Sequence, residues 1–297
     1  MRKLVMLLTL FVVTLPVFGQ GLALRNWKSE KPEELTYIHR TASELLGEIA
    51  RVGKQTGRLR SNVVLEGSEF AFAFPIVGST AAGGGLFFRS ETIILNRRNT
   101  AQNVALTYLP IGGANNCNLN VKILRLEAGK FYYWLDFVSE VFNTSGLAAV
   151  VVSGVDANGN VDANAAIDGN SRIWSPQPGT SGTTSQNFPS ISVQMPAGAQ
   201  SSFGLRQDPG FRTNYGIFNI GQVRRTFDIL VNGLQGSTTF SRDVDGCSAV
   251  LTALPGGTFG AMELIIGPRD GQGGYISYGS SVDNVTGDSW SIVGRSF

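Results

Sequence analysis

The stretch FRSETIILN, Phe88 to Asn96, comes back as FRTNYGIFN, Phe211 to Asn219. A chain that spells nine residues twice builds the same piece of structure twice, and this restricts the fold more than any bulk property. Successive side chains of a strand point to opposite faces. In the first copy Phe88, Ser90, Thr92, Ile94 and Asn96 therefore share one face, with Arg89, Glu91, Ile93 and Leu95 on the other. The polar turn RRNTA follows, and then Val104, Leu106 and Tyr108 alternate again. The second copy continues through IGQVRR to Phe227, Ile229 and Val231 on one face, so both copies read strand, turn, strand.

The correspondence runs on. TSGLAAVVVSG (Thr144 to Gly154) is matched by GTFGAMELIIG (Gly257 to Gly267), and each copy carries one cysteine, Cys117 and Cys247. One internal duplication explains all of this. Each copy spans roughly 110–120 residues of short strands and turns, the size and rhythm of an immunoglobulin-like β-sandwich. The 37 glycines suit such a chain. The expected fold is all-β, two tandem immunoglobulin-like sandwiches preceded by an N-terminal amphipathic helix, each sandwich closing its own interior. The first sandwich is set at 61–180 and the second at 181–297. Their boundary falls in Ser171 to Ser190, where Pro, Gly, Ser and Thr crowd together and hydrophobic alternation lapses.

Ahead of the repeats, Arg2 and Lys3 precede the apolar run Leu4 to Val13, with Pro16 and Gly19 beyond it. This predicts a signal peptide over 1–19, because the run is shorter than the ~20 apolar residues that span a bilayer. No later segment is long and apolar enough to hold the chain in a membrane. The helical segment is placed at 20–60. In it Leu35, Ile38, Ala42, Leu45, Ile49 and Val52 recur at helical spacing, with Pro32 at the first turn and Gly53 at the stop. The seam suits packing within the chain or against a second subunit. A net charge of +2 with 15% charged residues offers no basic stripe for nucleic acid. In an oxidising compartment Cys117 and Cys247 would tend to pair, although sequence alone does not bring their Cα atoms within bridging distance.

Residues that could carry chemistry are sparse. His39 is the only histidine, which removes Cys/His zinc sites, and any Ser-His-Asp mechanism would depend on it. Glu91, Asp136, Glu140, Asp228, Glu263 and Asp288 are the acids from which a glycosidase pair would be drawn, but no pattern singles out two of them. Asp156, Asn158, Asn160 and Asp162 alternate as D-x-N-x-N-x-D, a set of hard oxygens that calcium could use. The loop lacks the sixth-place glycine and the twelfth-place acid, and also reads as a polar hairpin tip. In FYYWLDF alternation puts about half of the aromatics inward; Tyr132 and Trp134 are the candidate contact aromatics for stacking on a sugar or anchoring a partner, with core and sheet-face packing as the other reading.

The elements FRSETIILN, SRIWSP, FRTNYGIFN and SYGSSVDNVTGDSW resemble a group of uncharacterised secreted bacterial proteins, frequent in Acidobacteria, with repeated β-sandwich domains ending in a phrase like YxSVVDNxTGD. That resemblance implies an exported, extracellular, non-catalytic module. The expected function is structural or adhesive, through contacts with proteins, glycans or copies of the same chain, with no cofactor beyond the calcium candidate. The alternative is a carbohydrate-active enzyme or carbohydrate-binding module. An outer-membrane barrel, prompted by the terminal Phe297, lacks the required lipid-facing alternation and aromatic girdles.

Overall fold

The computed structural model describes residues 31–56, 69–82, 85–112, 116–119, 121–177, 179, 181–193 and 197–296. The expected signal peptide lies outside these residues, and only 31–56 of the N-terminal segment lies within them. The described chain is predominantly β, in antiparallel sheets, with two helices. No helix among the described residues is long and apolar enough to cross a membrane.

The first elements are β1 (Glu33–Glu34) and α1 (Ala42–Thr56). The helix begins ten residues later than the apolar periodicity suggests. Its start is set by a capping box: Thr41 Oγ1 accepts from the Glu44 N–H while Glu44 Oε2 accepts from the Thr41 N–H. Leu35 and Ile38, which fit the helical seam, are instead buried from non-helical backbone, because Glu33 and Glu34 pair with another strand.

The remaining strands form two matching series. The first is β2 (Ala71–Ala81), β3 (Phe87–Asn96), β4 (Gln102–Pro110), β5 (Lys122–Leu126), β6 (Phe131–Trp134), β7 (Gly146–Val155), β8 (Ile167–Pro176) and β9 (Thr183–Pro189). After β10 (Ile191–Ser192), the second is β11 (Gln200–Gln207), β12 (Phe211–Asn219), β13 (Arg225–Gly233), β14 (Gly236–Val244), β15 (Ser248–Ala253), β16 (Gly260–Pro268), β17 (Tyr275–Asp283) and β18 (Ser289–Val293), closed by β19 (Arg295–Ser296). The first series runs β5-β4-β7-β2 on one side and β6-β3-β8-β9 on the other; the second runs β14-β13-β16-β11 and β15-β12-β17-β18. Strand for strand the order is the same. In the first half the two sides are stitched into one sheet where Ser79–Ala81 of β2 pair with Phe87–Arg89 of β3. A short helix, α2 (Phe137–Phe142), is inserted after β6 and N-capped by Asp136.

Each half has an apolar interior fed by both of its sides. Phe72, Phe74, Val104, Trp134 and Val150 belong to the first, and Tyr215, Ile217, Phe227, Val231 and Leu264 to the second. Those interiors are not the whole core. A further buried cluster joins Leu45, Leu46 and Ile49 of α1, Ala71, Ala73 and Ala149 from the outer face of the first half, and Phe218, Ile220 and Ala249 of the second. The seam of α1 is thus buried within its own chain, between the two halves. The Ser171–Ser190 stretch is no loose linker: it carries β8 and β9, which pair from Asn170↔Pro189 to Pro176↔Thr183. The lapse in hydrophobic alternation there reflects strands whose polar side chains hydrogen-bond across the junction, such as Gln186 to Ser280.

Candidate functional site

The repeated nine-residue stretch ends each time on a buried asparagine, and the two side chains make matching backbone hydrogen bonds, with Asn96 Oδ1 also accepting from Gln102 Nε2 at 2.7 Å. Asn96 Nδ2 serves the carbonyls of Thr100, Leu126 and Glu127 at 2.9–3.0 Å, while Oδ1 accepts from the Arg98 N–H. Asn219 Nδ2 serves Val223, Val244 and Asp245 at 2.9–3.1 Å, with Oδ1 accepting from the Gly221 N–H. Both amides tie the turn after their own strand to the far end of the fifth or fourteenth strand. Buried backbone acceptors need such partners. Asn96 and Asn219 therefore explain why the copies share their last letter, and this role is structural.

Cys117 and Cys247 form a disulfide with Cα atoms 5.0 Å apart, closing a loop of 130 residues and linking the first half to the second. The α1 segment strengthens the same junction, where Gln222 Nε2 donates to the Ser43 carbonyl. The halves are thus joined by a covalent bond, a helix and a shared apolar cluster.

Of the calcium candidates, Asp156, Asn160 and Asp162 already have their side-chain oxygens engaged by hydrogen-bond donors. Asp156 Oδ1 accepts from the N–H groups of Asn158 and Asn160, and its Oδ2 accepts from Asn160 Nδ2. Burial raises the Asp156 pKa, but these donors outweigh it and hold the carboxyl below its usual range. Asn160 Oδ1 accepts from the Arg40 guanidinium, which also binds the Gly159 carbonyl, and Asp162 is paired with Arg98 at 2.8 Å. The loop is a hairpin tip clamped by two arginines, whose charges oppose a divalent cation. Among the described residues no group of three or more His, Cys, Asp or Glu is placed to hold a metal ion.

The contact aromatics require a correction. Tyr132 and Trp134 point inward, 4% and 3% exposed, in an edge-on and stacked cluster with Phe74 and Phe137. The alternation was legible, but its phase was not: β6 pairs with β3 as Thr92↔Trp134 and Ile94↔Tyr132, so both share the interior face with Thr92 and Ile94. Neither can stack on a sugar. The outward pair is Phe131, at the strand's start, and Tyr133, whose hydroxyl donates to Glu91.

Five of the six acids have a cation or hydroxyl partner, and Glu140 Oε1 also accepts from the Asp136 N–H. Glu91 meets Arg172, Asp136 meets Arg89, Asp228 meets Arg269, Glu140 meets Lys31, and Glu263 accepts from Ser201. His39 is exposed, just ahead of α1.

Two surface features remain. The first is a cleft of about 400 Å³ where the halves meet. Phe88, Leu147 and Phe188 form one wall, and Leu251, Val282 and Arg212 the other. Beside it Tyr278 packs edge-on against Phe188 at 5.9 Å between ring centroids. Its buried hydroxyl has no hydrogen-bond partner among the described residues, and burial pushes its pKa well above the ordinary tyrosine value.

The second feature is a strand edge. β5 and β14 hold equivalent outer positions, but Glu33 and Glu34 of β1 cover part of the β5 edge, whereas among the described residues β14 pairs with β13 alone. β14 is nine residues long, and its stretch Gly236 to Ser241 carries no charge. β9 and β15 are guarded by comparison: Ser289 and Ser291 hydroxyls bond to the Ser185 and Asn187 carbonyls, and Gly112 donates to the Ala249 carbonyl. Compared with protein-family models, with curated proteins and with solved structures, the chain has no match.

Proposed function

We propose that the chain is a secreted, non-catalytic structural or adhesive protein of two tandem immunoglobulin-like β-sandwich repeats with a helix wedged between them, making its principal contact with copies of itself. The identical strand orders support the tandem reading, and the pairing of β9 and β10 within the first sheet supports ending the first repeat near Ser192. The disulfide suits an oxidising compartment. The observation that carries the self-contact is the open edge of β14, since an unpaired strand presents a row of N–H and C=O groups that template another strand.

Light scattering on the mature, oxidised protein tests it. The native chain is expected to grow in mass with concentration. Thr239→Lys, at an exposed position of β14, is expected to hold it monomeric while shifting stability by no more than about 0.5 kcal/mol. A native chain that stays monomeric at every concentration, or a lysine variant that assembles equally well, defeats the proposal.

A further inference from the structure

The repeat makes the junction cleft informative, because each residue of β12 has a counterpart in β3. Arg212 corresponds to Arg89. In the first half Arg89 lies 3.5 Å from the Asp136 carboxylate, and its guanidinium stacks on Phe87 at 4.6 Å. Asp136 belongs to the α2 cap, and the second half has no helix at that place. Arg212 accordingly has no carboxylate partner among the described residues; its hydrogen bond is to the neutral Asn284 Oδ1 at 2.8 Å. Arg212 nonetheless lines the cleft, together with Asn214 two residues along the same face. No Asp, Glu, Lys or His is among the described residues that line it.

We propose that this cleft binds a small amphipathic monoanion: an alkyl chain with one carboxylate, the chain lying between Phe88, Leu147 and Phe188 on one side and Leu251 and Val282 on the other, and the carboxylate on the Arg212 guanidinium. The volume, about 400 Å³, is near the lower end of the roughly 300–1,000 Å³ of small-molecule sites, which fits one medium-length chain. A guanidinium presents a planar fork of donors that matches a carboxylate. One such group at an otherwise uncharged cleft selects a single negative charge. The walls are held in register by the reciprocal hydrogen bonds of Gln186 and Ser280, at 2.7 and 3.0 Å, and by the disulfide, so the site is preformed.

Calorimetric titration of the oxidised protein with decanoate, octanoate and decanol, all below their aggregation limits, tests the proposal. Decanoate is expected to bind one to one, and octanoate more weakly by about fourfold for each methylene lost. Arg212→Met, at an exposed position that leaves the fold intact, is expected to weaken decanoate at least about tenfold and leave decanol unchanged. Leu251→Trp is expected to fill the cleft and abolish both. Absence of saturable decanoate binding to the native chain overturns the proposal, as does equal affinity in the methionine variant. Should the tryptophan variant fold and still bind decanoate, the site lies elsewhere and the assignment falls.

Discussion

β7 and β16 occupy the same position in the two halves and are built on different patterns. β7 reads GLAAVVVSGV and is buried on both faces from Ala148 to Val155, whereas β16 alternates, with Met262, Leu264 and Ile266 buried and Ala261, Glu263 and Ile265 more open. The inner faces serve the same purpose. The outer faces do not: that of β7 lies under α1 and the second half, with its alanines and those of the neighbouring strands in the shared cluster, while that of β16 is more open and lies beside the ion pair of Asp228, on the neighbouring β13, with Arg269. A second rung teaches the same lesson. Ile93 faces Asn170 in solvent, but their counterparts Gly216 and Tyr278 lie at the junction, with the tyrosine ring seated where a Cβ on Gly216 would be, 2.0 Å away. Duplicated units keep their interiors and diverge in what covers them.

That comparison can be broken most severely at the covalent link. Replacing Cys117 and Cys247 with serine removes the constraint on a 130-residue loop, an expected loss of up to ~4–5 kcal/mol. Denaturant titration followed by tryptophan emission, from Trp134 and Trp174 in the first half and Trp290 in the second, then shows two midpoints instead of one. A single unchanged midpoint would mean that the shared cluster alone couples the halves. Next in size, Asn96→Ala and Asn219→Ala each strand several buried carbonyls and are expected to lose about 3 kcal/mol apiece. Losses differing by more than about 1 kcal/mol would break the equivalence of the two corners. The smallest effect separates the outer faces: Gly216→Ala is expected to lose about 1–3 kcal/mol by displacing the Tyr278 ring, whereas Ile93→Ala, at the corresponding exposed rung, changes melting by no more than about 0.5 kcal/mol.

Much of this was legible in the chain. The alternation put Phe88, Ser90, Thr92, Ile94 and Asn96 on one face, and the last four are buried while Phe88 is half-buried. Both copies visibly end on asparagine, but the corner that each amide ties together shows only in the structure. In the aromatic run surface contact and core packing both stayed open, because a period of two tells which residues share a face but not which face is inward. That choice rests on the pairing of Tyr132 with Ile94, a contact between segments distant in sequence. The start of α1 was misplaced because Leu35 and Ile38 satisfy helical spacing equally well from the strand end and turn that follow the pairing of Glu33 and Glu34 with β5. The TASE capping box at Thr41 to Glu44 held the missing signal. The cleft had no sequence signature at all, since its walls come from strands far apart in the chain.

The amino-acid pattern by itself determined the strands, their doubling and the local turns, because these depend on alternation, on glycine and asparagine, and on residues near one another in the chain. Tertiary structure decided which outer faces meet, that α1 is wedged between them, that Cys117 reaches Cys247, and that Arg212 faces an apolar cleft without the acid that neutralises Arg89. Those outcomes follow from the burial of apolar surface between whole sheets, an effect proportional to area and indifferent to sequence order.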